Sequence, residues 1–163
     1  METRRIDPVN CSVARSLAVV GERWSLLIVR EALDGARRFG EFHVRLGIAK
    51  NLLSSRLDTL VTAGVMRRVP YREPGDRQRF AYELTEQGQA LRPTLLALLE
   101  WGDRYLADAQ GPSVIPRHQS AEGAGACDEP VRVVLECAAG HSHLAPEDVR
   151  RAPGPGARFV DES

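Results

Sequence analysis

Hydrogen-bonding and basic side chains are concentrated between residues 37 and 79 of this 163-residue chain. Asn51 can pair with adenine through two hydrogen bonds, and Ser54 and Ser55 can reach bases or phosphates. Residues 37–79 hold 10 Arg or Lys against four Asp or Glu, although the formal net charge of the whole chain is zero. Neutralising DNA phosphates requires such a local excess of positive charge, so this segment predicts binding of duplex DNA.

The spacing of apolar residues in the same segment is typical of a helix-turn-helix. A short helix is predicted over 40–46, with Gly47 as the turn, and a longer helix over 49–63 that ends at Gly64. The longer helix has one apolar face with a period of 3.6 residues, and its opposite face carries the short polar side chains. The apolar positions are Leu53, Leu57, Leu60 and Val61.

Two short strands are predicted to follow and to form a wing, joined by a tip at residues 73–76. Arginines on this hairpin would follow a DNA backbone or enter the minor groove. The residues predicted to contact DNA are Arg38, Lys50, Asn51, Ser54, Ser55, Arg56, Arg72, Arg77 and Arg79.

Helices are also predicted on both sides of this segment. One would begin at Asn10 as its N-cap and end at Gly21, and a second, over 22–33, is apolar on several sides and therefore belongs in the core. A long helix would run from Thr85 to Ala109, kinked or divided at Pro93.

The long helix is too apolar to lie free in water, and its simplest partner is the same helix of a second subunit. Residues 1–110 are therefore predicted to form a DNA-binding and dimerisation domain. Residues 111–130 read as a linker, and residues 131–163 as a small appendage with a strand over 131–137.

Composition excludes several classes of function. No apolar run approaches the length of roughly 18 residues that a membrane span needs, and the first residues do not resemble a signal peptide, so we expect a cytoplasmic protein without a membrane partner. There is no Gly-rich phosphate loop, and the sequence offers no obvious nucleophile partner for His43, His118, His141 or His143. We therefore expect neither an enzyme nor a cofactor.

Five motifs stand out in the sequence: CSVAR (11–15), GERWSLLIVRE (21–31), RFGEF (38–42), LLSSRL (52–57) and YELTEQG (82–88). Together they resemble the HxlR-type transcriptional regulators, winged-helix proteins related to the MarR group. The resemblance covers about residues 8–108. It implies a mainly α (α+β) winged helix-turn-helix fold with N- and C-terminal dimerisation helices, followed here by a small β-containing appendage. It also implies a homodimer that binds a palindromic operator and represses, or less often activates, neighbouring genes.

Transferred position by position, the resemblance places Asn51, Ser54, Ser55 and Arg56 on the recognition helix and residues 77–79 on the wing. The chain departs from the family at Ala49, where a serine usually caps that helix. Loss of the cap should cost about 1 kcal/mol locally.

Cys11 follows a predicted N-cap, where the positive end of a helix favours the reactive thiolate. The resemblance implies that a cysteine at this position can sense oxidants or electrophiles. The packing role of a small buried residue at a dimer seam is the preferred interpretation, because free cysteines usually behave in that way. A small-molecule effector in a cleft lined by Trp24, Phe39 and Phe42 is a further possibility, but aromatic residues of this kind are more often core.

Cys127, Cys137, His141 and His143 are competent zinc ligands within 17 residues. Their spacing argues against a zinc site, because neither cysteine belongs to a Cys-x2–4-Cys knuckle and only one residue separates the histidines. A plain appendage is the preferred interpretation.

Two alternatives from other classes stay open. The first alternative to a DNA-binding regulator is a thiol-redox or metal-binding protein that uses the winged fold as a scaffold. The second is a winged helix that binds other proteins. Stoichiometric zinc or peroxide turnover would favour the first, and partner binding that survives neutralisation of Arg77 and Arg79 would favour the second.

Overall fold

The computed structural model describes residues 7–75, 77–119 and 127–160. Asp76 at the predicted wing tip and residues 120–126 of the predicted linker lie outside the described part. The helices are α1 (Ser12–Val20), α2 (Arg23–Leu33), α3 (Phe39–Leu46), α4 (Lys50–Thr62), α5 (Glu86–Gln89) and α6 (Arg92–Tyr105), and the strands are β1 (Met66–Tyr71) and β2 (Arg79–Leu84). Single 3-10 turns lie at Pro8–Asn10 and Pro146–Asp148.

The core lies between α2, α3, α4 and the start of β1. Ile28 and Val29 of α2 have no exposed surface, which confirms that this helix is central. The apolar face predicted for α4 is likewise buried at Leu53, Leu57 and Leu60. Each such side chain contributes about 1.5–3 kcal/mol relative to an exposed one, so this face fixes the rotation of α4 and turns its polar side outward.

The turns of the helix-turn-helix depend on two glycines and one carboxylate. Gly47 between α3 and α4 has φ +61° and Gly64 after α4 has φ +76°, values that favour glycine. The Glu41 carboxylate accepts the N–H groups of Arg37 (2.7 Å) and Arg38 (3.0 Å) at the start of α3. Ala49 precedes α4 without a side-chain cap, as its methyl side chain requires.

The wing is the antiparallel pair β1–β2, with Met66 opposite Leu84 and Tyr71 opposite Arg79. An isolated bridge joins Arg38 to Ala81 and so attaches the residue before α3 to the wing. These elements confirm the predicted winged helix-turn-helix.

Thr85 caps α5 as expected, accepting the Gly88 N–H at 3.2 Å. The long helix predicted from Thr85 to Ala109 is divided into α5 and α6, and α6 ends at Tyr105. Pro93 explains the division, because proline is accepted in the first turn of a helix but not in its interior.

Two sequence predictions were wrong in their details. Asn10 is not the N-cap of α1: it ends the 3-10 turn, its Oδ1 accepts the Arg158 N–H at 3.0 Å, and Cys11 occupies the N-cap position. No strand forms over 131–137 in the described part of the chain. Gly140 (φ +83°) reverses the backbone, and a single bridge between Glu136 and Ser142 replaces a ladder.

The chain divides into two compact units. The described residues up to Arg92, together with those from Pro153 onward, form the first, and residues from Pro93 to Ala152 form the second. In the second unit, Glu100 of α6 accepts the Val133 N–H at 3.1 Å. One face of α6 and the segments 112–116 and 131–133 surround a cavity of about 260 Å³.

In the described parts of the chain, the helices are too short or too polar to span a membrane.

Candidate nucleic-acid interface

The outer face of α4 forms one wall of an open groove of about 810 Å³, and the other wall is Ala18 and Val19 of α1. Because the apolar face of α4 is buried, the polar side chains on its other side reach solvent together. Those that line the groove are Asn51, Ser54, Ser55, Asp58, Thr59 and Thr62. The predicted reading residues therefore lie side by side on an accessible surface, next to the exposed Lys50 at the start of α4.

Arg56 turns away from this face. Its guanidinium lies 3.4 Å from the Glu22 carboxylate, only 25% of its side chain is exposed, and its buried Nε has no hydrogen-bond partner among the described residues. The geometry gives Arg56 a packing role against the α1–α2 connection, and its predicted contact with DNA stays a prediction.

Arg38 connects the helix-turn-helix to the wing. Its guanidinium pairs with Glu73 at 2.7 Å and lies 4.8 Å from the centre of the Tyr71 ring. Half of its side chain remains exposed, so the same residue can hold the wing and meet a phosphate. Sequence reasoning singled out Arg38 for its charge but did not find its partners.

The remaining predicted arginines, Arg72, Arg77 and Arg79, are exposed on the wing. Arg79 begins β2, and Arg72 follows β1 directly, so both lie near the tip end of the hairpin. This places positive charge at the end of the wing, as backbone or minor-groove binding requires.

Two ion-pair groups that the sequence did not reveal stabilise the base of the wing. The Glu83 carboxylate binds Arg67 at 2.8 Å and Arg37 at 2.5 Å, and these contacts, Arg67 first, hold the pKa of Glu83 below its usual range. Arg68 contacts Tyr82 and pairs with Asp58 of α4, and both contacts, Tyr82 first, raise the pKa of Arg68.

Cys11 and the aromatic candidates occupy different environments. Cys11 is partly exposed at the N-cap of α1, and its side chain makes no capping bond. Phe42 has no exposed surface and therefore belongs to the core, whereas Trp24 and Phe39 are half-buried. The Arg23 guanidinium lies 4.5 Å from the Trp24 ring centre. These three aromatics do not line either of the two cavities described above.

The tail brings only two of the zinc candidates together. The Cys137 sulfur lies 3.3 Å from Nδ1 of His141, and the backbone N–H groups of Ala139 and His141 lower the pKa of the Cys137 thiol. Among residues 7–75, 77–119 and 127–160, no three His, Cys, Asp or Glu side chains are grouped as a metal site would require.

The HxlR-like helix-turn-helix family model matches residues 19–110, which covers α2 to the end of α6. The chain belongs to this family. It is a DNA-binding transcriptional regulator of the HxlR/MarR-like type and not an enzyme.

Relatives extend the similarity beyond the family domain. An uncharacterised HTH-type transcriptional regulator of Mycobacterium tuberculosis is 43% identical over 145 residues, which is 89% of this chain and 87% of that protein. The solved structure of PA1607, described as a candidate transcription factor, is 42% identical, with a TM-score of 0.74 over 88% of this chain and 95% of its own. The redox regulator HypR in its oxidised form is 30% identical, with a TM-score of 0.53 over 60% of this chain and all of its own.

Proposed function

We propose that the chain acts as a homodimer that represses neighbouring genes by binding a palindromic operator. The observation that carries the proposal is the outer face of α4, where Asn51, Ser54 and Ser55 line one open groove beside a basic wing. Affinity would come from arginines on phosphates, and specificity from the polar side chains of α4 in the major groove.

Exposed apolar side chains support the homodimer. Val13 and Leu17 of α1 are 67% and 56% exposed, and they lie four residues apart on one face of that helix. Leu98, Trp101 and Tyr105 of α6 are 48%, 55% and 63% exposed and also share a face, distinct from the one that lines the cavity. Exposed apolar faces on helices commonly bind a partner, and we propose a second copy of the chain as the partner of each.

Symmetry then sets the spacing of the two reading helices. A two-fold axis would place the two α4 helices on half-sites one helical turn of DNA apart, roughly 34–36 Å. A signal would act by changing that spacing or the angle between the helices. We propose that the signal is an oxidant or electrophile at Cys11, or else a small-molecule effector. The similarity to the redox regulator HypR supports the first.

The proposal is tested by binding of the purified protein to its own upstream intergenic DNA over a range of salt concentrations. Replacing Arg77 and Arg79 together with alanine should lower affinity for every sequence and flatten the salt dependence by about one unit per lost phosphate contact. The matched control is Arg150→Ala with Arg151→Ala, two exposed arginines of the tail, which should leave both quantities unchanged. Equal effects of the two pairs would contradict the wing assignment.

Asn51→Ala tests whether Asn51 contributes to discrimination between base pairs or only to the overall affinity for DNA. It should relax discrimination at one base pair of each half-site, because the amide supplies two hydrogen bonds to one base. If the variant weakened random and specific DNA equally, the role proposed for Asn51 would be wrong. Absence of DNA binding by the wild type would instead favour a protein-interaction winged helix.

The signal is tested by the same binding assay under reducing and oxidising conditions. Cys11→Ser should bind DNA in both, whereas the wild type and the control Cys127→Ser should lose binding on oxidation. If oxidation leaves the wild type unchanged, Cys11 is a packing residue, and the search turns to a small-molecule effector.

A further inference from the structure

Asp58 is an acidic side chain on the surface that otherwise offers amide, hydroxyl and basic groups. It lines the same groove as Asn51, Ser54 and Ser55, and 53% of its side chain is exposed. These side chains form one row along α4, because they are three or four residues apart. The row runs from Asn51 through Ser54 or Ser55 to Asp58. A side chain in this row meets the same groove of DNA as its neighbours.

The Asp58 carboxylate is held in place by the wing. Arg68 of β1 donates to Asp58 Oδ1, and Arg68 in turn contacts Tyr82, its partner across the β1–β2 pair, which is only 9% exposed. A carboxylate has about four acceptor positions, so the bond to Arg68 leaves capacity for a further donor. The reading face therefore presents an acceptor group whose orientation the wing fixes.

We propose that Asp58 selects a cytosine in each half-site of the operator. The inference rests on the proposed function, because it requires α4 in the major groove. A carboxylate is repelled by phosphates and by the acceptor atoms O6 and N7 of guanine and O4 of thymine, whereas the N4 amino group of cytosine donates to it. The adenine N6 amino group is a poorer match, because the acceptor N7 lies beside it.

A purely structural role makes a different prediction. If the Asp58–Arg68 pair only ties α4 to β1, then Asp58→Asn would lower thermal stability and leave the base preference of the protein unchanged. If Asp58 reads a base, the base preference changes at one position of each half-site. Base preference and stability are measured separately on the same variants.

The experiment is selection of bound sequences from a randomised duplex library, followed by affinity measurements on single-base variants of the selected operator. Wild-type protein should prefer cytosine at one position of each half-site by about tenfold, and Asp58→Asn should lose that preference while keeping the others. Asp148→Asn is the matched control, because it makes the same substitution at an exposed aspartate of the tail, outside the groove; its sequence preference should equal that of the wild type.

Three outcomes would overturn the proposal. The first is an unchanged preference in Asp58→Asn at wild-type stability, and the second is an unchanged preference with lower stability, which would establish the structural role alone. In both, the wild type still binds its operator and the proposed function stands. The third is an absence of sequence-specific binding by the wild type, which would remove the proposed function as well. If Asp58→Asn does not fold, Asp58→Ser gives the same comparison.

Discussion

Glu41 shows how a single carboxylate supports the recognition unit. Its two hydrogen bonds from the N–H groups of Arg37 and then Arg38 lower its pKa, so the charged form is favoured in the folded state. A depressed pKa adds stability that is present above the unfolded-state pKa and is lost as the pH falls through the folded-state pKa.

We therefore expect Glu41→Gln to lower the free energy of unfolding by about 1 kcal/mol at neutral pH, because a neutral acceptor binds N–H groups less strongly than a carboxylate. The difference from wild type should shrink as the pH falls below the ordinary glutamate pKa of about 4.5 and through the lower folded-state pKa. Urea unfolding of both proteins at several pH values measures it. A difference that is constant with pH would mean that the charge of Glu41 is not involved.

Cys137 should be unusually reactive for a cysteine in a tail. Because backbone N–H groups lower its pKa, its alkylation by iodoacetamide should reach half of its maximal rate at a lower pH than that of a free thiol such as glutathione. The measurement uses a protein in which Cys11 and Cys127 are serine, so that Cys137 alone reacts. Identical pH profiles for the protein and glutathione would refute the prediction.

Residues on a helix were easier to predict than residues in ion pairs. The exposure of Asn51, Ser54 and Ser55 follows from the 3.6-residue period, because that period fixes the direction of every side chain on a helix. The inward turn of Arg56 towards Glu22 depends on a contact between residues 34 positions apart, which local pattern does not reveal. The pairs of Arg38 with Glu73 and Arg68 with Asp58 were missed for the same reason.

At the scale of elements, α5 packs closely against the wing at Gly88, which has no side chain. A Cβ on Gly88 would lie 2.2 Å from the Val65 carbonyl oxygen and 2.9 Å from Cδ2 of Leu84. Backbone does not yield as a flexible side chain does, so Gly88→Ala should lower the free energy of unfolding by about 1–3 kcal/mol.

The control is Gly40→Ala in α3, where a Cβ would meet no atom within 4 Å and φ is not positive. It should leave stability unchanged or raise it by up to about 1 kcal/mol, because alanine favours helix and restricts the unfolded chain. Urea unfolding compares the two variants. Equal stabilities of the Gly88 and Gly40 variants would show that α5 can move away from the wing at little cost.

Elements with strong local signals were predicted within one or two residues, as α2 and α4 show. The prediction failed over 131–137, where β-branched residues suggested a strand. A strand forms only when a neighbour is present for its ladder, and that neighbour depends on the rest of the fold. Pro93 clearly predicted an interruption of the long helix. It did not predict that α6 begins one residue before the proline, at Arg92.

At the scale of the whole molecule, a homodimer should make stability depend on concentration. If subunit association contributes to the folded state, Tm should rise with protein concentration, and Leu17→Glu on the exposed face of α1 should abolish that dependence. Val44→Glu is the matched control, because Val44 is 80% exposed on α3, outside the proposed dimer faces. A wild-type Tm independent of concentration, with a monomer mass in sedimentation, would contradict the dimer.

The net charge of the whole molecule did not indicate DNA binding, because it is zero. The informative quantity was the local excess of positive charge over residues 37–79, because interactions beyond about 8–10 Å are screened at physiological salt. The division into two compact units was not predicted at its observed position, because the return of residues 153–160 to the first unit is a long-range contact.

The contact of residues 153–160 with the first unit has a consequence for the synthesis of the chain. The Asp7 N–H donates to the Arg158 carbonyl at 2.9 Å, and the Arg158 N–H donates to Asn10. A ribosome adds residue 158 as the 148th residue after Asn10, so the turn that precedes α1 gains these contacts long after its own residues have been made. The helix-turn-helix and wing can therefore begin to fold during synthesis before the turn at Pro8–Asn10 gains its two hydrogen bonds to Arg158.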